Sequence, residues 1–246
     1  HYRRYINFAK MGDTDSAMVE LGIITELNPQ DISVFYSLVE LQIAAGKPLE
    51  AVNTLKKILE KNDGESQYFE HVLTFFSIAL QMKSKKILEL GVRSGGSSYP
   101  FLLACKVLGG HLTSVDIASS VWKAPTELAK YQTFVLSDAI KFLTNNTEKY
   151  DLIYVDDWHS YPHVKRELEE IDRVSDENTI ILLHDLMSNS EPNYWSPIDY
   201  DENGEWGLGG PYRAVEELDK EKWEWMTIPT NHGLTILRKK GKVITK

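Results

Sequence analysis

From residue 87 onward the sequence alternates short apolar runs with segments of helical length; the runs occupy residues 87–90, 112–115, 134–136, 152–155 and 179–183. Short apolar runs between polar turns predict buried parallel strands, and helical segments between parallel strands predict right-handed crossovers. The expected fold of residues 65–246 is therefore α/β, with a doubly wound, mostly parallel sheet. The end of the chain breaks this alternation. Residues 224–228 and 234–237 are separated only by Pro229-Thr230-Asn231-His232-Gly233. That link is too short for a crossover and predicts a C-terminal antiparallel hairpin on one sheet edge.

Residues 1–64 follow another rule. Gly12 and Gly46 are 34 residues apart, and the correspondence continues through Ala17 and Ala51, Leu21 and Leu55, and Ile24 and Ile58. Spacings of three and four put Ala17, Leu21 and Ile24 on one helical stripe, with a glycine in the turn before it. A small all-α region of helical hairpins is expected. The pattern resembles tetratricopeptide repeats, with the alanines standing where that family packs its two helices closely. The resemblance implies a surface that recruits a protein or carrier partner. The first unit lacks most of an opening helix and the chain begins at His1, so the natural chain is expected to extend N-terminally. An apolar stripe over residues 66–83, with Phe69, Val72, Leu73 and Phe76, predicts one more helix before the sheet.

Composition removes several function classes. A formal charge of -9 opposes non-specific binding to phosphate backbones, so no nucleic-acid partner is expected. No stretch approaches the roughly 18 apolar residues of a membrane span, and the N-terminus lacks the apolar run of a secretory signal. A cytoplasmic protein without membrane association is the expectation. The single cysteine, Cys105, excludes an internal disulfide and a cysteine zinc cage and reads as a buried thiol.

The chemistry concentrates at strand ends. The run 87–90 leads into Gly91-Val92-Arg93-Ser94-Gly95-Gly96-Ser97-Ser98 and then an apolar helix. In open α/β sheets ligands bind at such a turn, where helix N–H groups point outward and glycines let a ligand approach the main chain; a tight structural turn is the alternative. Asp116, at the second strand's end, is placed to accept hydrogen bonds from a ribose diol, and Asp138 follows the third strand. Either could instead cap a helix. A dinucleotide fingerprint requires Gly-x-Gly-x-x-Gly, whereas the spacing here is Gly91-x-x-x-Gly95-Gly96 behind the carboxylate of Glu89. That arrangement suits a cationic ligand better than a pyrophosphate and disfavours a nicotinamide-dependent oxidoreductase.

The segment from Glu89 to Ser97 resembles the first motif of class I S-adenosylmethionine-dependent methyltransferases, especially the Glu-x-Gly-x-x-x-Gly-x-Ser form of catechol-type O-methyltransferases. The resemblance implies S-adenosyl-L-methionine as cofactor. It places Glu89 and Gly91 at the methionine part, Ser97 at its carboxylate, Asp116 at the ribose and Asp138 near the adenine, with Gly95 completing the cofactor-binding turn.

The fourth and fifth runs end in Asp156-Asp157-Trp158-His159 and His184-Asp185-Leu186. Neighbouring strand ends bearing Asp156, Asp185 and His184 gather oxygen ligands and an imidazole at the same crevice. In the alternative, His184 caps a strand or bonds Asp157, and Asp156 serves the cofactor alone. Both segments resemble a methyltransferase family that includes macrolide-sugar O-methyltransferases and the so-called cephalosporin hydroxylases. The resemblance implies Mg2+ on Asp156 and Asp185 and His159 as base. His184 stands where the sugar-modifying relatives often carry an acid, which makes this a weaker magnesium site or one for another metal.

Residues 189–212 read as a long functional loop, in which Tyr194, Trp195, Trp206 and Tyr212 either stack on an acceptor or anchor the loop to the core. The expected activity is methyl transfer to a hydroxyl of a small molecule or sugar, assisted by metal. The rival is a non-catalytic cofactor-binding protein whose helical repeats recruit a partner.

Overall fold

The computed structural model describes residues 1–29, 31–47, 50, 51, 53, 54, 57, 71–93, 95–119, 122–126, 128–186, 199, 200, 206, 207, 210–230 and 232–241. The chain divides into two compact units, His1–Leu73 and Thr74–Lys246.

The first unit opens with helices α1 (Tyr2–Met11), α2 (Thr14–Leu27) and α3 (Ile32–Ala44). Gly12 closes α1 at φ 75°, and Gly46, after α3, has φ 71°. Both lie in the left-handed region that glycine enters without a Cβ penalty. Asp13 caps α2 by accepting from the Ser16 N–H at 3.1 Å. Met18, Leu21, Val34 and Leu38 form a local core. Ala17 and Ala51 are both fully buried, so the 34-residue correspondence appears in backbone conformation at the glycines and in burial at the alanines. Leu55 and Ile58 lie outside the described residues. The helix expected over 66–83 is α4 (Val72–Gln81); residues 66–70 lie outside the described ones.

The second unit contains β1 (Lys86–Leu90), α5 (Ser98–Leu108), β2 (His111–Asp116), β3 (Gln132–Leu136), α6 (Ala139–Asn145), β4 (Leu152–Val155), α7 (Tyr161–Val174), β5 (Ile180–His184), β6 (Asp199–Tyr200), β7 (Trp206–Gly207), α8 (Gly210–Glu216), β8 (Trp223–Ile228) and β9 (Leu234–Lys239). Its sheet has the order β3-β2-β1-β4-β5-β9-β8. Strands β1 to β5 pair in parallel, β9 runs antiparallel to β5, and β8 pairs antiparallel with β9. The terminal hairpin expected from the sequence therefore extends the sheet beyond β5. The strand order reverses between β1 and β4, and in an open α/β sheet that reversal opens a crevice at the strands' carboxyl ends.

The pleat decides what each side chain meets. On one face Leu88, Leu90, Ile153, Val155, Ile181 and Leu183 join Val164, Leu168 and Ile171 of α7 in the core. Glu89, Ser114 and Tyr154 occupy neighbouring register positions on the other face. There Tyr154 packs against Phe75 and Phe101, with ring centroids at 4.8 and 5.7 Å. Cys105 is buried, and burial pushes its thiol pKa up to about 12.

Two expectations need correction. The run 134–136 is not a buried strand: Phe134 is 39% and Leu136 62% exposed, because β3 is the edge strand. The segment 189–212 is not wholly a loop, since β6 pairs with β7 and Tyr212 lies in α8. Tyr194 and Trp195 lie outside the described residues. Among the described residues no helix is long and apolar enough to cross a membrane.

Candidate active site

The turn after β1 is fixed from below and from the side. Glu89 is fully buried and accepts hydrogen bonds from Ser97 Oγ at 2.6 Å, Ser114 Oγ at 2.6 Å and Ser98 Oγ at 2.7 and 2.9 Å. Gln132 Nε2 donates to Ser114 Oγ at 2.9 Å and extends this network to β3. Burial raises the Glu89 pKa to about 7 against the lowering effect of the three hydroxyls. The structure thus places Glu89 and the Ser97 hydroxyl beneath the turn, bonded to each other. Asp116 reaches across from β2: Oδ2 accepts from the N–H groups of Val92 and Arg93 at 2.9 and 3.1 Å, and Oδ1 from Ala118 N–H at 2.9 Å. Asp138 caps α6, accepting from the Lys141 N–H at 2.8 Å.

Both glycines sit where a side chain cannot. Gly91 has φ 89°, and a Cβ there would stand 2.2 Å from the Asp156 carbonyl oxygen. Gly95 has φ 77°, and its Cβ would stand 2.1 Å from Cδ2 of Trp122, whose indole is seated against it. The turn is thereby packed directly onto the end of β4.

Asp156, His159, His184 and Asp185 converge at the ends of β4 and β5. His159 Nε2 lies 3.3 Å from Asp156 Oδ1 and 3.1 Å from Asp185 Oδ2; His184 Nδ1 lies 3.5 Å from Asp156 Oδ1 and 3.3 Å from Asp185 Oδ1. Two carboxylates are thus bridged by two imidazoles. His184 pairs through Nδ1 with Asp156 and Asp185. Tyr154 donates its hydroxyl to Asp156 Oδ2 at 2.8 Å. Asp185 holds φ 62°, a left-handed conformation uncommon outside glycine, asparagine and aspartate.

Burial alone would raise the Asp156 pKa, but the hydrogen-bonded His159 and the facing His184 imidazole hold it well below the usual carboxylate range. Burial works against the charged imidazoles, yet the facing carboxylates prevail: His159 is raised and His184 reaches about 10. A carboxylate oxygen from each of Asp156 and Asp185 and a nitrogen of His184 lie within 4.8 Å of one another, a donor set that fits a divalent cation.

Four parts of this region carry no site signal in the motifs: Ser98 and Ser114 beside Glu89, Tyr154 behind Asp156, Trp122 on Gly95, and a neighbouring cluster of Asp157, His163 and Glu167. His163 Nε2 lies 3.1 Å from Asp157 Oδ2 and 3.7 Å from Glu167 Oε1. The i, i+4 spacing of His163 and Glu167 was a visible signal, because on a helix it puts both on one face. The contribution of Asp157 depends on how α7 packs against the end of β4.

Residues 88–186 match a protein family described as a methyltransferase domain. That stretch includes Glu89, Gly91, Gly95, Asp116, Asp138, Asp156, His159 and Asp185. In fold, the chain is similar to the O-methyltransferase TomG from Streptomyces achromogenes, involved in tomaymycin synthesis and solved with SAM. The identity is 16%, the TM-score 0.51, and the similarity covers 70% of this chain and 80% of that one. It is likewise similar to the SAH-bound methyltransferase PaMTH1 from Podospora anserina, with 15% identity, a TM-score of 0.50, and coverage of 78% and 96%. No curated protein matches the sequence.

Proposed function

We propose that this protein transfers a methyl group from S-adenosylmethionine to a hydroxyl oxygen of a small molecule or sugar. The observation that carries the reading is the contact between its two half-sites: the main chain of Asp156, which bears the acidic cluster, abuts Gly91 of the glycine-rich turn. A cofactor on that turn would present its methyl group toward Asp156, His159 and Asp185. Displacement at a sulfonium carbon requires an in-line oxygen with a free lone pair, so the protein must orient the acceptor and take its proton.

His159, lying between Asp156 and Asp185, is the proposed proton acceptor. Asp116 and the Gly91–Gly95 turn are the proposed seat of the cofactor, with Glu89 and Ser97 holding that turn from beneath and Asp138 bordering it from α6. Asp156, Asp185 and His184 would hold a divalent cation, Mg2+ weakly and a transition metal such as Mn2+ more tightly because one donor is an imidazole; it would offset the negative charge that raises the His159 pKa and would lower the pKa of vicinal hydroxyls.

Titration calorimetry with S-adenosylmethionine and NAD, followed by transfer of labelled methyl to a panel of sugars and catechols with and without chelator, tests the proposal. Binding of S-adenosylmethionine but not NAD, with chelator-sensitive transfer to a diol, is expected. Binding of neither cofactor would overturn it, and full activity in excess chelator would remove the metal from it.

A further inference from the structure

Glu167 lies on the wrong face of its helix for a solvated acid. The buried stripe of α7 contains Val164, Leu168, Ile171 and Val174, each no more than 3% exposed, and Glu167 stands among them at 0%. Neither Oε1 nor Oε2 of Glu167 has a hydrogen-bond partner, and Asp157 Oδ1 is also buried without one. A buried carboxylate lacking donors is costly, because dehydration is repaid only by hydrogen bonds or by a counter-charge. His163 supplies a counter-charge only through a long ion pair, its Nε2 3.7 Å from Glu167 Oε1 and beyond hydrogen-bond distance, so both carboxylate oxygens keep room for a closer ligand.

We propose that Asp157, His163 and Glu167 form a second divalent-cation site, for a first-row transition metal such as Zn2+ or Mn2+, next to but separate from the Asp156, His184 and Asp185 cluster. One ligand atom from each of the three residues lies within 4.8 Å of the others. A cation about 2.1 Å from His163 Nε2 and from a facing oxygen would see an N–metal–O angle of roughly 95° at the Asp157 spacing and roughly 124° at the Glu167 spacing, each within the range of four- and five-coordinate sites. Two carboxylates and a neutral imidazole around a dication sum to zero charge, which suits a buried position. The mixed oxygen and nitrogen set favours a transition metal over Ca2+ or Mg2+, since imidazole is a poor ligand for those hard ions.

The site has a structural consequence that the Asp156 cluster lacks. It would tie the end of β4 to the first two turns of α7 and so bracket residues 158–160, the short connection that carries His159. Ser160 already caps that helix, accepting from the His163 N–H at 3.3 Å. The metal would fix the connection at its other end.

The test counts bound metal. Equilibrium dialysis of the whole chain against Zn2+ or Mn2+ is expected to give two equivalents for the wild type, one for Glu167→Gln, one for Asp185→Asn and none for the double variant. The thermal midpoint of Asp185→Asn should still rise with added metal, whereas that of Glu167→Gln combined with Asp185→Asn should not. His163→Gln, which leaves Glu167 in place, should behave like Glu167→Gln and provides the same reading if that variant folds poorly. Metal uptake that is unchanged by both Glu167→Gln and His163→Gln would overturn the proposal. So would a wild-type stoichiometry of one that Asp185→Asn abolishes, which would leave Asp157 and Glu167 sharing a proton.

Discussion

The carbonyl oxygen of Asp156 lies where a side chain on Gly91 would begin, 2.2 Å from the position of a Cβ. The glycine of the first strand's turn is thus required by the backbone of the fourth strand as well as by its own φ of 89°. Gly91→Ala should destabilise the protein by about 3 kcal/mol or more, since a main-chain neighbour cannot rotate away. Gly109→Ala separates strain from collision. Gly109 also has positive φ, 64°, but a Cβ there meets nothing within 4 Å, so the loss should be about 1 kcal/mol. Equal urea midpoints for the two variants would show that the contact with Asp156 is not constraining.

Trp122 gives the second prediction. Its indole is seated against Gly95, so a ligand that uses the main chain of Gly95 must move the ring. Trp122→Ala should tighten S-adenosylmethionine binding several-fold, on the order of 1 kcal/mol. It should also reduce the change in intrinsic fluorescence that accompanies cofactor addition. The same Kd and the same fluorescence change in variant and wild type would mean that the ring is not in the way.

How far the sequence could be read follows from which facts are local. The strand runs, the glycine turn and the hairpin are all set within a few residues, and all appear where the periodicity puts them. The run at 134–136 is as apolar as its neighbours, yet β3 is exposed because edge position is a property of strand order. Asp116 and Asp138 looked alike as acids after strands. Asp138 caps its own helix, whereas Asp116 reaches back to Val92 and Arg93, 24 and 23 residues away. Glu89 was legible as an acid behind a glycine turn, but not as a buried one. Its three serine partners are Ser114 of β2, Ser97 just before α5 and Ser98 at the start of α5, and the packing of that helix over the sheet brings them together.

Glu89 also predicts a pH dependence. Its folded pKa of about 7 exceeds the ordinary 4.5. Between those values the folded state holds a proton that the unfolded state has lost, so this group's contribution to stability falls as pH rises through the interval and levels off above it. The full change is about 3 kcal/mol. Glu89→Gln cannot ionise, so its stability relative to wild type should improve from pH 5 to pH 8 by up to that amount. Urea unfolding of both proteins at the two pH values measures it, and parallel pH profiles would contradict the buried-carboxyl account.

Asp185 tests the proposed chemistry most cleanly, because its backbone limits which substitutions can be interpreted. At φ 62° an alanine would add left-handed strain, whereas asparagine tolerates that region and keeps the side-chain shape. Asp185→Asn removes one of the two carboxylates that face His159 and His184 and leaves the glycine turn intact. Methyl transfer should fall by about 100-fold or more while the Kd for S-adenosylmethionine stays within about two-fold. Asp185→Ala should show the same kinetic loss together with a further loss of about 1 kcal/mol in stability. If cofactor affinity falls in step with turnover for the asparagine variant, Asp185 belongs to the cofactor seat and the assignment of the acidic cluster to the acceptor side is wrong.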